Sequence, residues 1–249
     1  MIIIKNKLAI DKMRVAGNRL AKILEDVTPF VTIGANTESL NERIETNMLS
    51  VGLKPVCKGY NGYCHATCIS LNNEIVHGVP SKKKVLKSGD FVKIDVVGAY
   101  EGYCADLTRF YFVGEVRSKV KSLAETAQRA LDAAIEIAKP GIHLSDLSAK
   151  IQSIVEKAGF SVVRDFAGHG IGKNLHESPD IPNFGEKGQG PILKEGMALA
   201  IEPMITEGSW DVEIEKDGWT AKTKDGSLAA HVEDTIVITK NGAEVLTRL

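Results

Sequence analysis

Two aspartates lie on either side of a predicted turn in the stretch FVKIDVVGAYEGYCADLTRF, residues 91–110. β-Branched and aromatic residues fill both flanks, and the acidic-glycine pair Glu101-Gly102 is typical of a two-residue β-turn. If the tyrosines that flank this turn pair with each other, Asp95 and Asp106 project from one face of a hairpin. Such diagonal neighbours have Cβ atoms roughly 7 Å apart, which suits carboxylates that grip two metal ions about 3.5–4 Å apart.

This register predicts two specific pairs, Asp95 opposite Thr108 and Asp106 opposite Val97. For the hairpin taken by itself, the simpler interpretation is that both aspartates face solvent, because one face of an antiparallel sheet is often solvated. The metal hypothesis therefore depends on whether the rest of the chain supplies further ligands.

The chain has 249 residues, of which 43% are hydrophobic, and a formal net charge of −1. That length suits one large domain or two small ones, and the charge balance favours neither DNA nor a membrane surface as a partner. The apolar run at the start, in MIIIKNKLAIDKMR, is too short for the core of a signal peptide. No apolar run approaches the length of a membrane span. We expect a cytoplasmic protein that acts as a monomer.

The four cysteines contain no CxxC pair. Cys57, Cys64 and Cys68 lie close together with His65 in VCKGYNGYCHATC, so a zinc site is one interpretation. Reduced thiols that line a pocket or core are the interpretation we favour for a cytosolic chain.

Hydrophobic periodicity predicts an ordered series of elements. Helices are expected over residues 8–27, 37–50, 119–138 and 145–158, and strands over 91–113, 197–205 and 231–239.

The series repeats itself, because matching residues recur at one constant separation on both sides of a variable connector. The aligned pairs are Gly34 and Gly141, Leu40 and Leu147, Ile44 and Ile151, Gly52 and Gly159, Gly89 and Gly196, Ile94 and Ile201, and Asp95 and Glu202. We therefore predict two half-domains, about 8–114 and 115–249, related by a pseudo-two-fold axis.

The repeat has a chemical consequence, since it aligns Asp95 of the first half with Glu202 of the second and, once an insertion is allowed, Asp106 with Glu233. Four carboxylates in one cleft could not all ionise without cations, so two divalent ions would resolve the repulsion. Glu202 precedes Pro203, which biases its backbone to an extended conformation suited to a rigid ligand.

Five of the six histidines lie in turn-rich segments or at strand ends: His65, His77, His169, His176 and His231. The sixth, His143, begins a predicted helix, where we expect a structural role. His169 is the best candidate ligand, because Gly168 and Gly170 let its backbone approach the site closely. One imidazole among four carboxylates favours Mn, Fe, Co or Zn over calcium.

The ordered set Asp95, Asp106, His169, Glu202 and Glu233 resembles the dinuclear site of the methionine aminopeptidases. Its supporting motifs are SLNNEIVHGVP, KIDV followed by AD-x-T, GHGIG followed by HE-x-P, and EGMALAIEPM. The short gap between His169 and Glu202 is similar to that of the type I branch. The resemblance implies the pita-bread α/β (α+β) fold, in which a central, mostly antiparallel sheet is covered by helices, with residues 1–249 as one catalytic domain.

That resemblance also implies roles for the ligands. Asp95 would chelate one of two divalent ions (Co, Mn, Fe or Zn), His169 and Glu202 would hold the other, and Asp106 and Glu233 would bridge both. Glu202 would accept a proton from the attacking water, His176 would stabilise the oxyanion, and His77 would contact the scissile amide.

The implied substrate is the N-terminal methionine of a nascent polypeptide whose second residue is small. Its side chain would lie among aromatic and sulfur groups, which suit a thioether. These pocket residues are Cys57, Tyr60, Tyr63, Cys68, Leu175 and Trp219. Three positions differ from the family pattern: Leu175 replaces an aromatic residue, Val97 a small hydroxyl residue, and Lys93 an asparagine.

Two other functions stay open at this stage. One is another exopeptidase on the same fold, such as an X-Pro hydrolase, and the other is a non-catalytic binding protein. The basic residues Lys82-Lys83-Lys84, Lys222 and Lys224 could make a transient ribosome contact, or they could simply be solvated loops.

Overall fold

The computed structural model describes residues 1–249 and contains four α-helices and fifteen β-strands. The helices are α1 (Lys7–Val27), α2 (Thr37–Ser50), α3 (Ser118–Ile137) and α4 (Leu144–Lys157), with 3-10 turns at Thr28–Phe30 and Tyr60–Gly62. The strands are β1 (Lys54–Pro55), β2 (Thr67–Leu71), β3 (Glu74–Val76), β4 (Phe91–Tyr100), β5 (Tyr103–Phe112), β6 (Ser161–Val162), β7 (Ala167–Gly170), β8 (Glu177–Pro182), β9 (Ala198–Ile201), β10 (Met204–Thr206), β11 (Val212–Ile214), β12 (Ala221–Thr223), β13 (Ala229–His231), β14 (Glu233–Thr239) and β15 (Gly242–Val245). All four predicted helices are confirmed, each to within one residue at either end.

Local sequence explains where the helices begin. The Asn6 side chain accepts a hydrogen bond from the Ala9 N–H at 2.9 Å, which satisfies a free donor in the first turn of α1. His143 precedes α4, and its backbone N–H donates to the Asp146 carboxylate at 3.0 Å. His143 thus takes part in starting a helix, as the sequence predicted.

The predicted hairpin is confirmed in every pair. β4 and β5 are antiparallel, with Asp95 opposite Thr108 and Val97 opposite Asp106. Both turn residues have positive φ, 46° at Glu101 and 81° at Gly102, as a two-residue turn of this hand requires.

The main sheet has nine strands in the order β1-β4-β5-β14-β9-β7-β8, with β2 also paired to β4 and β15 to β14. Every strand pair in it is antiparallel. Strands from before residue 115 form one side and later strands the other, and the two sides meet where β5 pairs with β14. Glu233 lies opposite Thr108 at this junction, which brings the acids of both sides together.

Helices cover one face of the main sheet, and the acidic side chains project from the opposite face. Ile94 and Val96 of β4 pack in one core with residues of α1 and α2. Ile201 of β9 and Ile236 of β14 pack in another with α3 and α4. Because successive strand residues point to opposite faces, Asp95 is left to project away from the helices.

Two predicted strands are wrong in their extent. The strand expected over 197–205 is interrupted at Glu202-Pro203, so that β9 stays in the main sheet and β10 joins a small sheet with β6 and β13. The strand expected over 231–239 is interrupted at Val232 in the same way. Pro203 lacks the N–H that a ladder needs, which explains the first interruption. Both interruptions lie beside candidate ligands, Glu202 and Glu233.

None of the four helices is both long enough and apolar enough to span a membrane.

Candidate active site

Every residue that the sequence predicted for the site lines one cavity of about 110 Å³. The lining residues are Cys57, Tyr60, Tyr63, Cys68, His77, Asp95, Val97, Asp106, His169, Leu175, His176, Glu202, Trp219 and Glu233. Only Val97 was not among the predicted site residues. The cavity therefore joins β4 and β5 to the irregular segments around β7, β9 and β14.

Hydrogen bonds between the two sides of the sheet join the strands that carry Asp106 and Glu233. The Asp106 N–H donates to the Thr235 hydroxyl at 2.9 Å, and that hydroxyl donates to the Asp106 carbonyl at 2.8 Å. The Thr108 hydroxyl donates to Glu233 Oε2 at 3.2 Å. These bonds tie β5 to β14 at the level of the site.

Three carboxylate oxygens in the cavity are buried without a hydrogen-bond donor: Asp95 Oδ1, Asp106 Oδ1 and Glu233 Oε1. Burying such atoms without a partner is costly. Their convergence is what a cation site requires, because a cation is the partner that several carboxylates can share.

His169 presents a nitrogen lone pair to the same space. Its Nδ1 lies 2.9 Å from the Gly170 carbonyl, which can only accept, so Nδ1 carries the proton. Nε2 then faces Asp106 Oδ2 and Glu202 Oε1, each at 3.7 Å. Cβ atoms on the flanking glycines would collide with the Ala200 and Ser178 carbonyls, so only glycine allows this close approach.

The electrostatics fit a cation in this space. Burial, followed by the charge of neighbouring carboxylates, raises the pKa of Asp106, Glu202 and Glu233 well above the ordinary range. Burial also raises the pKa of Asp95 and lowers the pKa of His169 to about 4. The imidazole is therefore neutral near pH 7 and cannot neutralise the acids.

The potential ligand atoms form two groups, Asp106 with His169 and Glu233, and Glu202 with His231 and Glu233. Within each group all atoms lie within 4.8 Å of one another. Glu233 belongs to both groups, whereas Asp95 belongs to neither. Asp95 lies diagonally across the hairpin from Asp106.

Sequence reasoning gave His231 no role, although it lies two residues before Glu233. Residues at that spacing share a face when the chain is extended, which was the available signal. Its Nε2 lies 3.1 Å from Glu202 Oε2, and its side chain is 3% exposed.

The walls of the cavity are apolar and rich in sulfur. Tyr63 contacts Trp219 edge to face, with ring centroids 5.0 Å apart. Cys57, Cys68 and Leu175 pack in one buried cluster with Tyr63. Cys57 and Cys68 are free thiols, and a hydrogen bond with Cys68, together with burial, raises the pKa of Cys57.

Two more histidines, His77 and His176, line the cavity. The Tyr60 hydroxyl lies 2.7 Å from His176 Nδ1, and the His176 ring is 4.4 Å from that of His169. His77 packs edge to face against Phe166 at 5.4 Å. Burial lowers the pKa of His77 to about 4 and also lowers the pKa of His176, so both rings are neutral near pH 7.

Val97 and Lys93, the other two residues that differ from the family pattern, differ in their position relative to the cavity. Val97 is buried and lines the cavity. Lys93 is 1% exposed and does not line it. Its Nζ donates to the Asn72 and Ala229 carbonyls at 3.0 and 3.1 Å, and burial lowers its pKa to about 7.

The chain is similar to known proteins over nearly its full length. The family model described as metallopeptidase family M24 matches residues 11–240. A methionine aminopeptidase A of Synechocystis is 43% identical over 246 residues, covering 99% of this chain and 97% of its own. The crystal structure of a methionine aminopeptidase from Thermotoga maritima superposes with a TM-score of 0.99, at 46% identity and full coverage of both chains.

A prolidase from Pyrococcus furiosus is a more distant neighbour. Its TM-score is 0.81 at 29% identity, and the match covers 99% of this chain but 66% of the prolidase. The match to the methionine aminopeptidase of Thermotoga maritima, in contrast, covers the full length of both chains.

This chain belongs to metallopeptidase family M24. The predicted resemblance to methionine aminopeptidases is confirmed, as are the hydrolase class and the pita-bread fold with its antiparallel central sheet.

Proposed function

We propose that this protein is an aminopeptidase that removes the N-terminal methionine from nascent polypeptides whose second residue is small. The observation that carries the proposal is the composition of one cavity. Four carboxylates and a neutral imidazole line one part of it, and thiol groups and aromatic rings line the rest. Residues 1–249 then form one catalytic domain built from two half-repeats.

The donor set fits two divalent ions, with Asp95, Asp106, His169, Glu202 and Glu233 as ligands. Unpaired carboxylate oxygens of Asp95, Asp106 and Glu233 support this assignment, and mixed nitrogen and oxygen donors favour Co, Mn, Fe or Zn. When bound, the ions supply Lewis-acid polarisation of the carbonyl and an acidified water.

Each of the side chains around the ions then has its own role in the reaction. Glu202 would accept the proton of the attacking water, since its carboxylate lines the cavity and a carboxylate within reach of that water can act as the general base. His176 would donate from Nε2 to the oxygen on which charge develops, in the tautomer whose Nδ1 accepts from the Tyr60 hydroxyl 2.7 Å away. His77 contacts the scissile amide.

The cavity limits what can enter. A volume of about 110 Å³ accommodates one unbranched side chain beside the carboxylates. Tyr63, Trp219, Cys57 and Cys68 surround that space, and sulfur-aromatic contacts favour a thioether. Tyr60 and His176 also line the cavity and are joined by a hydrogen bond; a pair held in this way supports a small residue after the first.

Nascent chains as substrate would place the protein in the cytoplasm, with at most a transient ribosome contact. Two of the basic residues are already paired, Lys84 with Glu74 at 2.6 Å and Lys222 with Glu215 at 2.7 Å. Lys82, Lys83 and Lys224 are left for such a contact.

An X-Pro hydrolase is the second candidate, because prolidases share the fold. One assay separates the possibilities: cleavage of Met-Ala-Ser against Gly-Pro-X peptides by protein of measured metal content. We expect the methionine peptide alone to be cleaved, with metal bound. Preference for the proline peptide would support the second candidate, and metal-loaded protein that cleaves neither peptide would indicate a binding protein.

A further inference from the structure

His231 lies behind the candidate site without reaching the cavity. It is 2% exposed and is absent from the cavity wall, although Glu202, which it contacts, lines it. At the end of β13 it pairs with Met204 of β10 in the small sheet. Any influence on the reaction therefore passes through Glu202 and not through contact with a substrate.

The two oxygens of Glu202 have different neighbours. Oε1 lies 3.7 Å from His169 Nε2, on the side where the candidate ligands converge. Oε2 lies 3.1 Å from His231 Nε2, at hydrogen-bond distance. One oxygen is thus held from behind while the other faces the cluster.

The backbone gives Glu202 little support of its own. It lies between β9 and β10, where the chain leaves the main sheet, and Pro203 follows it without an N–H. A side chain in such an irregular segment keeps one orientation only if its own contacts hold it. The hydrogen bond from His231 is the contact that the structure provides.

The segment that carries His231 is itself anchored. Ala229 accepts a hydrogen bond from the buried Lys93 ammonium at 3.1 Å. Lys93 lies on β4, two residues before Asp95. This bond links β13 to the strand that carries the first candidate ligand, so that His231 and the hairpin keep a fixed relation.

The direction of the hydrogen bond follows from the chemistry of the partners. A carboxylate can only accept, so Nε2 carries the proton when Glu202 is ionised. A neutral imidazole with one N–H is then sufficient, and it cannot serve as a metal ligand through the same nitrogen.

We propose that His231 is a positioning residue for Glu202: its Nε2–H holds Oε2 and leaves Oε1 as the oxygen that binds the metal beside His169. The inference rests on the proposed metal-dependent function and adds an outer partner to the ligand set. Hydrogen bonds of this kind to a ligand typically change metal affinity by about 10–100-fold.

Two substitutions separate positioning from ligation. His231→Leu keeps an apolar volume and removes the donor, whereas His231→Gln keeps an N–H donor and removes the imidazole. Metal-free parent and both variants are titrated with Co²⁺ by calorimetry, and circular dichroism verifies their folding. We expect His231→Leu to weaken one Co²⁺ site by about 10–100-fold and His231→Gln to stay within about 3-fold of the parent.

The outcomes distinguish the possible errors. Equal losses in both variants would make the imidazole a ligand, and no loss in either would leave His231 without a role; each result overturns the inference. If the parent itself bound no Co²⁺, the proposed function would fail instead.

A second measurement does not depend on the folding of His231→Leu. In Zn²⁺-loaded parent labelled with ¹⁵N-histidine, and assigned by comparison with His231→Gln, His231 is expected as the Nε2–H tautomer. A metal-bound Nε2 with the proton on Nδ1 would overturn the inference.

Discussion

A buried ion pair between Lys5 and Glu177 connects the start of the chain to the segment that carries His176. The Lys5 ammonium lies 2.7 Å from Glu177 Oε2, and the two side chains are 3% and 5% exposed. The same ammonium donates to the Ile3 carbonyl at 3.0 Å, and Glu177 Oε1 accepts from the Asn174 N–H at 3.2 Å. Removing one partner therefore leaves a charge in a dry environment.

We expect Lys5→Met to be strongly destabilising. At 2.7 Å and an effective dielectric constant of about 20, the attraction between the charges is about 6 kcal/mol, most of which offsets their desolvation. Breaking such a pair costs about 3–5 kcal/mol, because the remaining charge is uncompensated. In a chain of this size that corresponds to a fall of roughly 6–20 °C in Tm.

The assay is urea and thermal unfolding in EDTA, so that metal binding does not contribute. Lys5→Met/Glu177→Gln is the matched rescue, because it removes the stranded charge and keeps an acceptor for Asn174; we expect it to recover most of the loss. Lys119→Met is the surface control, since Lys119 is 60% exposed in its pair with Glu207, and it should cost below about 1 kcal/mol. A Lys5→Met protein within about 1 kcal/mol of the parent, against the 3–5 expected, would refute the reasoning.

Three further predictions concern the site itself. Tyr60→Phe removes the hydroxyl that lies 2.7 Å from His176 Nδ1, so the imidazole can change tautomer. We expect turnover to fall roughly 10-fold, which is less than the fall of roughly 10²–10³-fold that follows loss of an oxyanion donor. Calorimetry should show unchanged metal affinity, and loss of metal would make His176 a ligand instead. Leu175→Phe adds a flat contact to a wall residue that is 7% exposed, so the kcat/KM ratio of Met-Ala to norleucine-Ala peptides should change several-fold, about 1 kcal/mol; unchanged ratios would place Leu175 outside the pocket. The pKa values of Glu202 and Glu233 are raised in the metal-free folded protein. Above pH about 4.3 both carboxyl groups therefore stay protonated in the folded protein, whereas the unfolded chain releases their protons. This contribution to stability is lost as pH rises through the folded pKa values, and metal binding should release those protons, so that affinity rises with pH. Calorimetry in buffers of different ionisation enthalpy, at several pH values above about 4.3, measures the release, and no release at any of them would contradict the raised pKa values.

Local pattern was sufficient for the hairpin. Alternation in β4 and β5 and the turn at Glu101-Gly102 set both the register and the common face of Asp95 and Asp106. The reason is that strand register near a tight turn depends only on adjacent residues. Helix bounds were predictable for a similar reason, since periodicity and caps act within a few residues.

The extent of the later strands was not a local property. Residues 197–205 read as one extended run, yet the chain changes sheets at Glu202-Pro203 because β10 finds its partners in β6 and β13. A run of apolar residues predicts extension but does not specify which strand lies beside it.

The sequence by itself determined the types and the order of the residues that line the cavity, and the proposed metal and methionine chemistry follows from those types. The tertiary structure alone decided the contacts between distant segments, such as Lys5 with Glu177, separated by 172 residues, and Glu202 with His231. Hydrophobic periodicity does not predict such contacts, because it depends only on neighbours along the chain. The contact partners of these side chains depend instead on how distant segments pack in the folded protein.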